Sequence, residues 1–249
     1  MSTGKRLSGK IALVTGASKG IGASIATHLG AEGAAVVVNY ASSKDGAERV
    51  VKQITEAGGK AVSIQGDVSK QADIERLMAE TKKTFGRLDI LVNNAGIYER
   101  AAVGEITADF YHRIFNLNVL GLILTTQEAL KLMGEGGSII NISSVVSTLS
   151  PPGNAVYNAS KSAVDNITRT FAKELGPKQI RVNSINPGMV ETEGLHSTGF
   201  IAMKDQVVGM LPLGRLGQPQ DIAPAVVFLA SPESSWMTAE TLYVTGGIH

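Results

Sequence analysis

Residues 154 to 164 read NAVYNASKSAV and set a phenol, Tyr157, four positions before an ammonium, Lys161. On a helix these positions share one face, so both polar ends point to the same place. Two readings are open for such a pair. The ring can pack while the lysine reaches past it to water. Alternatively the two groups act on one proton: a phenol ionises near pH 10, too high for easy cycling at neutrality, and a neighbouring ammonium favours the phenolate.

A second group with chemical potential is TGASKGIG at 15–22. Gly16, Gly20 and Gly22 let the chain turn tightly and bring backbone N–H groups, with Ser18, Lys19 and Ile21 among them, close to a pyrophosphate at a helix N-terminus. The next strand ends AVVVNYASSKD, where an NAD-specific site would carry a carboxylate for the ribose 2′-hydroxyl. Asn39, Tyr40 and Ser42 stand there instead, all neutral. With no acid to repel a 2′-phosphate, Lys19 supplies the charge and Asn39 and Ser42 the hydrogen bonds, so NADP(H) is expected over NAD(H).

The elements that must position these groups alternate along the chain. Short β-branched runs at 10–16, 34–39, 60–65 and 88–94 are separated by helical stretches at 20–32, 44–57 and 70–85. Asp45 or Ser43 is expected to cap the second helix and Ser69 the third. A long helix over 106–132, a strand at 137–143, a helix at 154–175 and a strand at 180–186 continue the rhythm. An irregular, substrate-loop region follows at 188–218, then a helix at 219–230 and a strand at 241–246. Strand–helix alternation at this spacing predicts one α/β domain over 1–249: a doubly wound Rossmann arrangement with a mostly parallel sheet of about seven strands and helices on both faces.

Bulk properties bound the rest. The chain has 249 residues, 43% hydrophobic and 18% charged, with a formal net charge of +1. That balance gives no reason to expect nucleic-acid or anionic-membrane binding. The absence of cysteine excludes disulfides and thiolate chemistry and suits the cytoplasm. No apolar run approaches a membrane span. His28, His112, His196 and His249 lack paired spacing, so no metal site is expected; His196 reads as a solvated loop residue.

With TGASKGIG, Asp67, NNAG at 93–96, Ser144, Tyr157-x-x-x-Lys161 and NPG at 186–188, the chain resembles the short-chain dehydrogenase/reductases from Lys10 to about Gly247. The resemblance implies that Tyr157 is the proton donor, that Lys161 lowers its pKa and holds the nicotinamide ribose, that Ser144 binds the carbonyl oxygen, and that Asn118 kinks its helix and holds a relay water. It places Asp67 and Val68 at the adenine, and Asn93, Asn94, Ala95 and Gly96 at the adenosine side of the cleft. Pro187, Gly188, Val190 and Thr192 fall at the nicotinamide.

The implied reaction is reversible hydride transfer from NADPH to a carbonyl. The expected pocket lining (Ile97, Tyr98, Val145, Val146, Pro151, Pro152, Met189, Leu195, Phe200 and Met203) suits a hydrophobic ketone. A 3-oxoacyl-[acyl-carrier-protein] reductase and a sugar dehydrogenase stay open as alternatives. The first is weakened because Lys131, opposed by Glu135, offers a thin basic patch for an acidic carrier even with Lys178 before the sixth strand to help. A cofactor sensor without turnover is disfavoured by the intact Asn118, Ser144, Tyr157 and Lys161 set. The family usually forms homo-oligomers, with a tetramer favoured.

Overall fold

A computed structural model describes residues 4–193 and 208–248. The chain runs β1 (Ile11–Val14), α1 (Gly20–Ala31), β2 (Ala35–Tyr40), α2 (Lys44–Glu56), β3 (Lys60–Gln65), α3 (Gln71–Phe85) and β4 (Leu88–Asn93). After β4 come α4 (Ala108–Phe115), a π-helical segment (Asn116–Gly121), α5 (Leu122–Ala129) and β5 (Met133–Ile142). Then follow a short α6 (Val146–Leu149), α7 (Ala155–Leu175), β6 (Arg181–Pro187), a helix here called α8 (Pro219–Ala230) and β7 (Thr241–Val244). The strands form one seven-stranded sheet in the order β3-β2-β1-β4-β5-β6-β7, and every pairing is parallel.

Parallel strands covered on both faces must be apolar on both, which is why β2 is buried at every position. Alternate residues feed opposite layers: Ala12, Val14, Val36 and Val38 pack with α1 and α8, whereas Leu13 and Val37 pack with α3 and α7. Helix α3 meets its layer through Ile74, Leu77, Met78 and Thr81, the stripe that a 3.6-residue period predicts. Sequence order reverses between β1 and β4, so their carboxyl ends open a crevice where ligands of such sheets bind. Among the described residues no helix is long and apolar enough to cross a membrane.

Some local expectations need correction. Ser43 stands at the α2 N-cap without a side-chain capping bond, and α3 starts at Gln71 with Lys70 at its cap. Ser69 instead donates to Asp67 Oδ1 at 2.7 Å. The helix expected over 106–132 starts at Ala108, where Thr107 accepts from Phe110 N, and is interrupted by the π segment. Strand β5 begins at Met133, earlier than its β-branched run suggests.

The π segment is shaped by Gly121, at which a Cβ would stand 2.5 Å from the Val68 carbonyl oxygen. The helix therefore lies against the turn after β3, which fixes where Asn118 points. Gly121→Ala should cost about 1–3 kcal/mol, the usual penalty for forcing atoms into a packed site. Urea denaturation of the variant against wild type checks this.

Candidate active site

The cleft at the switch point has a volume of about 370 Å³ and is lined by Gly16, Ser18, Lys19, Gly20, Ile21, Gly22, Ser42, Asp67, Val68, Asn94, Ala95, Gly96 and Thr192, all anticipated from sequence. Its shape comes from a backbone scaffold. Thr15 Oγ1 accepts from the amides of Asn94 and Ala95, each at 3.0 Å. Asn94 Nδ2 in turn donates to the carbonyls of Thr15 and Gly16 at 2.9 and 3.1 Å. A Cβ on Gly22 would collide with that same Asn94 amide and with the Gly16 carbonyl. The first turn of α1 can thus approach the turn after β4 only with glycine at this position.

Two residues of the predicted set do something else. Asn39 borders the cleft, but both its donors are spent on the carbonyls of Ile64 and Gly66, and its oxygen accepts from Gly16 N. It pins the glycine turn rather than offering hydrogen bonds to a phosphate. Tyr40, of opposite strand parity, is buried in the layer of α1 and α2 and does not line the cleft. Ser42 and Lys19 remain at the cleft wall, and among the described residues no ion pair engages Lys19. Ala41, Ser43, Gly66, Leu117 and Glu193 also line it; sequence reasoning passed over them because nothing in their types singles them out.

Asp67 Oδ1 accepts from the Ser69 amide and hydroxyl. Burial pushes its carboxyl up, but the Ser69 hydroxyl and amide, with Lys70 beside it, more than offset this and leave it below the ordinary range.

Beyond Gly96 the cleft reaches the polar residues of α7. A Cβ at Gly96 would stand 3.1 Å from Asn118 Oδ1 and 3.7 Å from Lys161 Nζ. Lys161 is 6% exposed and donates to the Ile142 carbonyl at 2.9 Å. The Ser143 hydroxyl donates to the Lys161 carbonyl at 3.1 Å, so α7 is held against the end of β5. The Lys161 ammonium lies 5.7 Å from the centroid of the Tyr157 ring, confirming that the two share a face.

Asn118 Oδ1 accepts from Ile97 N at 2.9 Å, while Nδ2 donates to Ile97 O and Ser160 Oγ. Its side chain thereby clamps the loop that carries Gly96 and Tyr98.

Burial drives both titrating groups toward their neutral forms. Desolvation pushes the Tyr157 phenol up to about 12; the nearby Ser144 hydroxyl works the other way and Tyr98 adds slightly to the rise. In the cofactor-free protein desolvation sets the direction of this shift. Desolvation likewise brings Lys161 down to about 8, against the attraction of Asp165.

Ser144 follows β5, with its carbonyl accepting from Asn186 Nδ2 at 3.1 Å. Pro187 accepts from Val145 N, and Gly188 donates to Val244 O. Val190 forms an isolated parallel bridge with Gly217. The bonds of that bridge are made by Met189 and Glu191, so the Val190 N–H and C=O point away from Gly217.

Of the expected substrate lining, Tyr98 is 40% exposed and meets Tyr157 edge-on at 4.9 Å. Ile97, Val146 and Pro151 keep partial exposure. Val145 is buried instead, and Met189 packs with Leu211 and Leu216. Leu195, His196, Phe200 and Met203 lie outside the described residues.

Comparison with known proteins agrees with this geometry. A family model described as enoyl-(acyl carrier protein) reductase matches residues 16–249. An uncharacterized oxidoreductase of Methylorubrum extorquens is 54% identical over 245 residues, covering 98% of this chain and 99% of its own. A hydroxynaphthalene reductase-like protein of Metarhizium guizhouense is 40% identical, covering 98% and 97%. Among solved structures, a short-chain dehydrogenase/reductase from Serratia marcescens superposes with a TM-score of 0.93 at 40% identity, covering 98% and 99%. The angucycline C-6 ketoreductase LanV with bound NADP does so with a TM-score of 0.93 at 35% identity, covering 98% and 97%. The chain belongs to the short-chain dehydrogenase/reductase family of oxidoreductases.

The lysine makes a measurable signature. Below pH 8 it is protonated in both folded and unfolded chains, and the full cost of burying the ammonium applies. Between about 8 and its reference value of 10.5 the unfolded chain keeps a proton that the folded chain has lost, so stability rises with pH. From pH 8 to pH 10 this contributes about 2 kcal/mol. Cofactor-free wild type should gain that much relative to Lys161→Met in paired denaturant titrations at the two pH values.

Proposed function

We propose that this protein is an NADPH-dependent ketoreductase acting on apolar, preferably aryl-bearing, ketones. The observation that carries the proposal is the meeting at Gly96 of the glycine-lined cleft with Asn118 and Lys161, one helical turn from Tyr157. The dinucleotide fits the cleft: Gly16 and Gly20 hold positive φ and Gly22 has no room for a Cβ against Asn94, which together shape the turn whose backbone amides would approach a pyrophosphate. Asp67 and Val68 would hold its adenine end, Lys19 and Ser42 its 2′-phosphate, and Lys161 its nicotinamide ribose. Pro187, Gly188, Val190 and Thr192 would border the nicotinamide. The bound cofactor would supply the hydride.

The chain's own groups manage the charge that hydride transfer develops on the carbonyl oxygen. Ser144 hydrogen-bonds that oxygen and fixes its direction. Tyr157, protonated over the whole neutral range, donates its proton there. The ammonium of Lys161 stabilises the phenolate left behind, a stronger effect once a ligand excludes water. Asn118 keeps Gly96 and Tyr98 in place beside the reacting centre. Tyr98, edge-on to Tyr157, provides an aromatic wall that supports an aryl preference. The hydroxynaphthalene reductase-like and angucycline ketoreductase relatives support the same substrate class.

Reduction of acyl-carrier thioesters is disfavoured by Lys131. Its ammonium pairs with Glu128 at 2.6 Å, not with Glu135 as the sequence suggested, so a carboxylate already stands beside the charge that a carrier would meet. The turn before α8 is structural: Arg215 pairs with Asp221 at 2.6 Å, and that hydrogen bond, with the Gln218 amide, holds Asp221 down to about 2. Homo-oligomer assembly belongs to the same proposal, in which a second copy would cover exposed apolar side chains such as Tyr111, Leu120 and Trp236, and so does a cytoplasmic location, which the absence of cysteine suits.

Tyr157→Phe should reduce ketone turnover by at least about 10³-fold while leaving the NADPH Kd within about twofold, since the phenol donates the proton but is one of several cofactor contacts. Steady-state kinetics with fluorescence titration would refute the assignment if turnover survived. Lys19→Ala should raise the KM for NADPH by about 10-fold or more and leave that for NADH nearly unchanged, as expected for one charged contact to the 2′-phosphate. Equal effects on the two cofactors would contradict the assigned specificity.

A further inference from the structure

Helix α7 carries a third polar group on the face that bears Tyr157 and Lys161. Asp165 lies one turn beyond the lysine on the same helix face, is 6% exposed and stands near enough to attract the ammonium without a direct ion pair. Its partners are neutral. Asn186 Nδ2 donates to Oδ2 at 3.0 Å, and the Ser184 hydroxyl stands 3.5 Å from Oδ1. One good bond from a neutral amide does not compensate a buried carboxylate. Lys161 has the mirror deficit, a buried ammonium with three donors and one hydrogen bond, to Ile142 O. Two under-compensated charges of opposite sign one helical turn apart compensate one another.

Asp165 also orients Asn186. A carboxylate only accepts, so it forces the amide nitrogen of Asn186 toward itself. That same nitrogen reaches the Ser144 carbonyl at 3.1 Å and the Ser147 hydroxyl at 3.0 Å. A rotated Asn186 would set oxygen against oxygen at Ser144.

We propose that Asp165 is a positioning residue of the active site: its buried carboxylate keeps Lys161 in its ammonium form and, through Asn186, holds the backbone of Ser144. This rests on the reading of Lys161 and Ser144 given above. Around the lysine, the other titratable groups are Tyr157 on the same helix and Tyr98 from the loop after β4. β5, β6 and the π segment present neutral groups: Ile142, Ser143, Ser184, Asn186 and Asn118. Asp109, Tyr111, His112 and Arg113 on α4 and Arg169 on α7 are exposed. Arg181 sits at the amino end of β6, bonded to Ser231 and Ser234. On β7, Tyr243 neighbours Asn186 in register.

The test follows the Lys161 side-chain titration by NMR in the cofactor-free full-length protein, with selectively labelled lysine. In Asp165→Asn the midpoint should fall by at least about one unit, as expected when a nearby opposite charge is removed, and Asp165→Glu should restore most of the difference. Activity should follow the same sign: the kcat/KM of Asp165→Asn for a ketone falls about 5-fold at pH 8 for a one-unit fall in the midpoint, and less at pH 6.5, where the lysine stays charged. An unmoved midpoint, or a loss independent of pH, overturns the proposal.

If Asp165→Asn does not fold, the wild-type Asp165 carboxyl resonance decides. It must shift at the pH where Lys161 loses its proton, and a signal blind to that step overturns the proposal. These titrations need no substrate. A wild type that shows the coupling but oxidises no NADPH with ketones would overturn the functional reading and leave the coupling standing.

Discussion

The ammonium of Lys161 is taken out of water at the carboxyl end of an apolar parallel sheet, where the Ile142 carbonyl is its hydrogen-bond acceptor. That constraint orders much of what surrounds it. A buried cation is tolerated only where the backbone holding it cannot relax away from it. The required rigidity comes from the Ser143 bond to the Lys161 carbonyl and from the buried ladder Thr126–Asn93–Asn141–Thr168, which ties α5, β4, β5 and α7 together. The same burial that costs stability makes the lysine's charge effective, because an ammonium screened by water would do little to a phenol beside it.

The cofactor side of the cleft is fixed differently, by backbone carbonyls and amides shared between the ends of β1 and β4. Thr15, Asn94 and Asn39 satisfy the exposed peptide groups of the glycine turn, so the turn keeps its form without a ligand. Asn118 then couples the two sides, since its clamp on Ile97 places Gly96 where the cleft ends and the ammonium begins. One asparagine in a π-helical segment joins a rigid binding cleft to a rigid proton-transfer site.

Much of this was legible in the sequence. The alternation of β-branched runs with helices predicted the doubly wound sheet because both periodicities are local. The glycine turn, Ser144, Tyr157 and Lys161 were found because their types and spacings carry chemistry on their own. What was missed depends on partners distant in the chain. Asn39 was assigned a free amide, but strand parity turns it onto Ile64 and Gly66 of the neighbouring strand. Tyr40, one residue on, is turned into the core by the same parity. Asp165 was not singled out, because nothing in its type or spacing marks it; only the placement of β6 against α7 shows it buried against Asn186. The extent to which the Tyr157 phenol is desolvated was not legible either, because it depends on what the fold packs around the ring.

The central claim is that this site reduces an apolar ketone rather than a carrier-bound thioester. It is tested most directly by following NADPH oxidation at neutral pH and comparing kcat/KM for acetophenone with that for an acetoacetyl thioester. The account predicts a clear preference for acetophenone, from the aromatic wall at Tyr98 and the pairing of Lys131 with Glu128. A strong preference for the thioester would contradict it and assign the chain to 3-oxoacyl reduction.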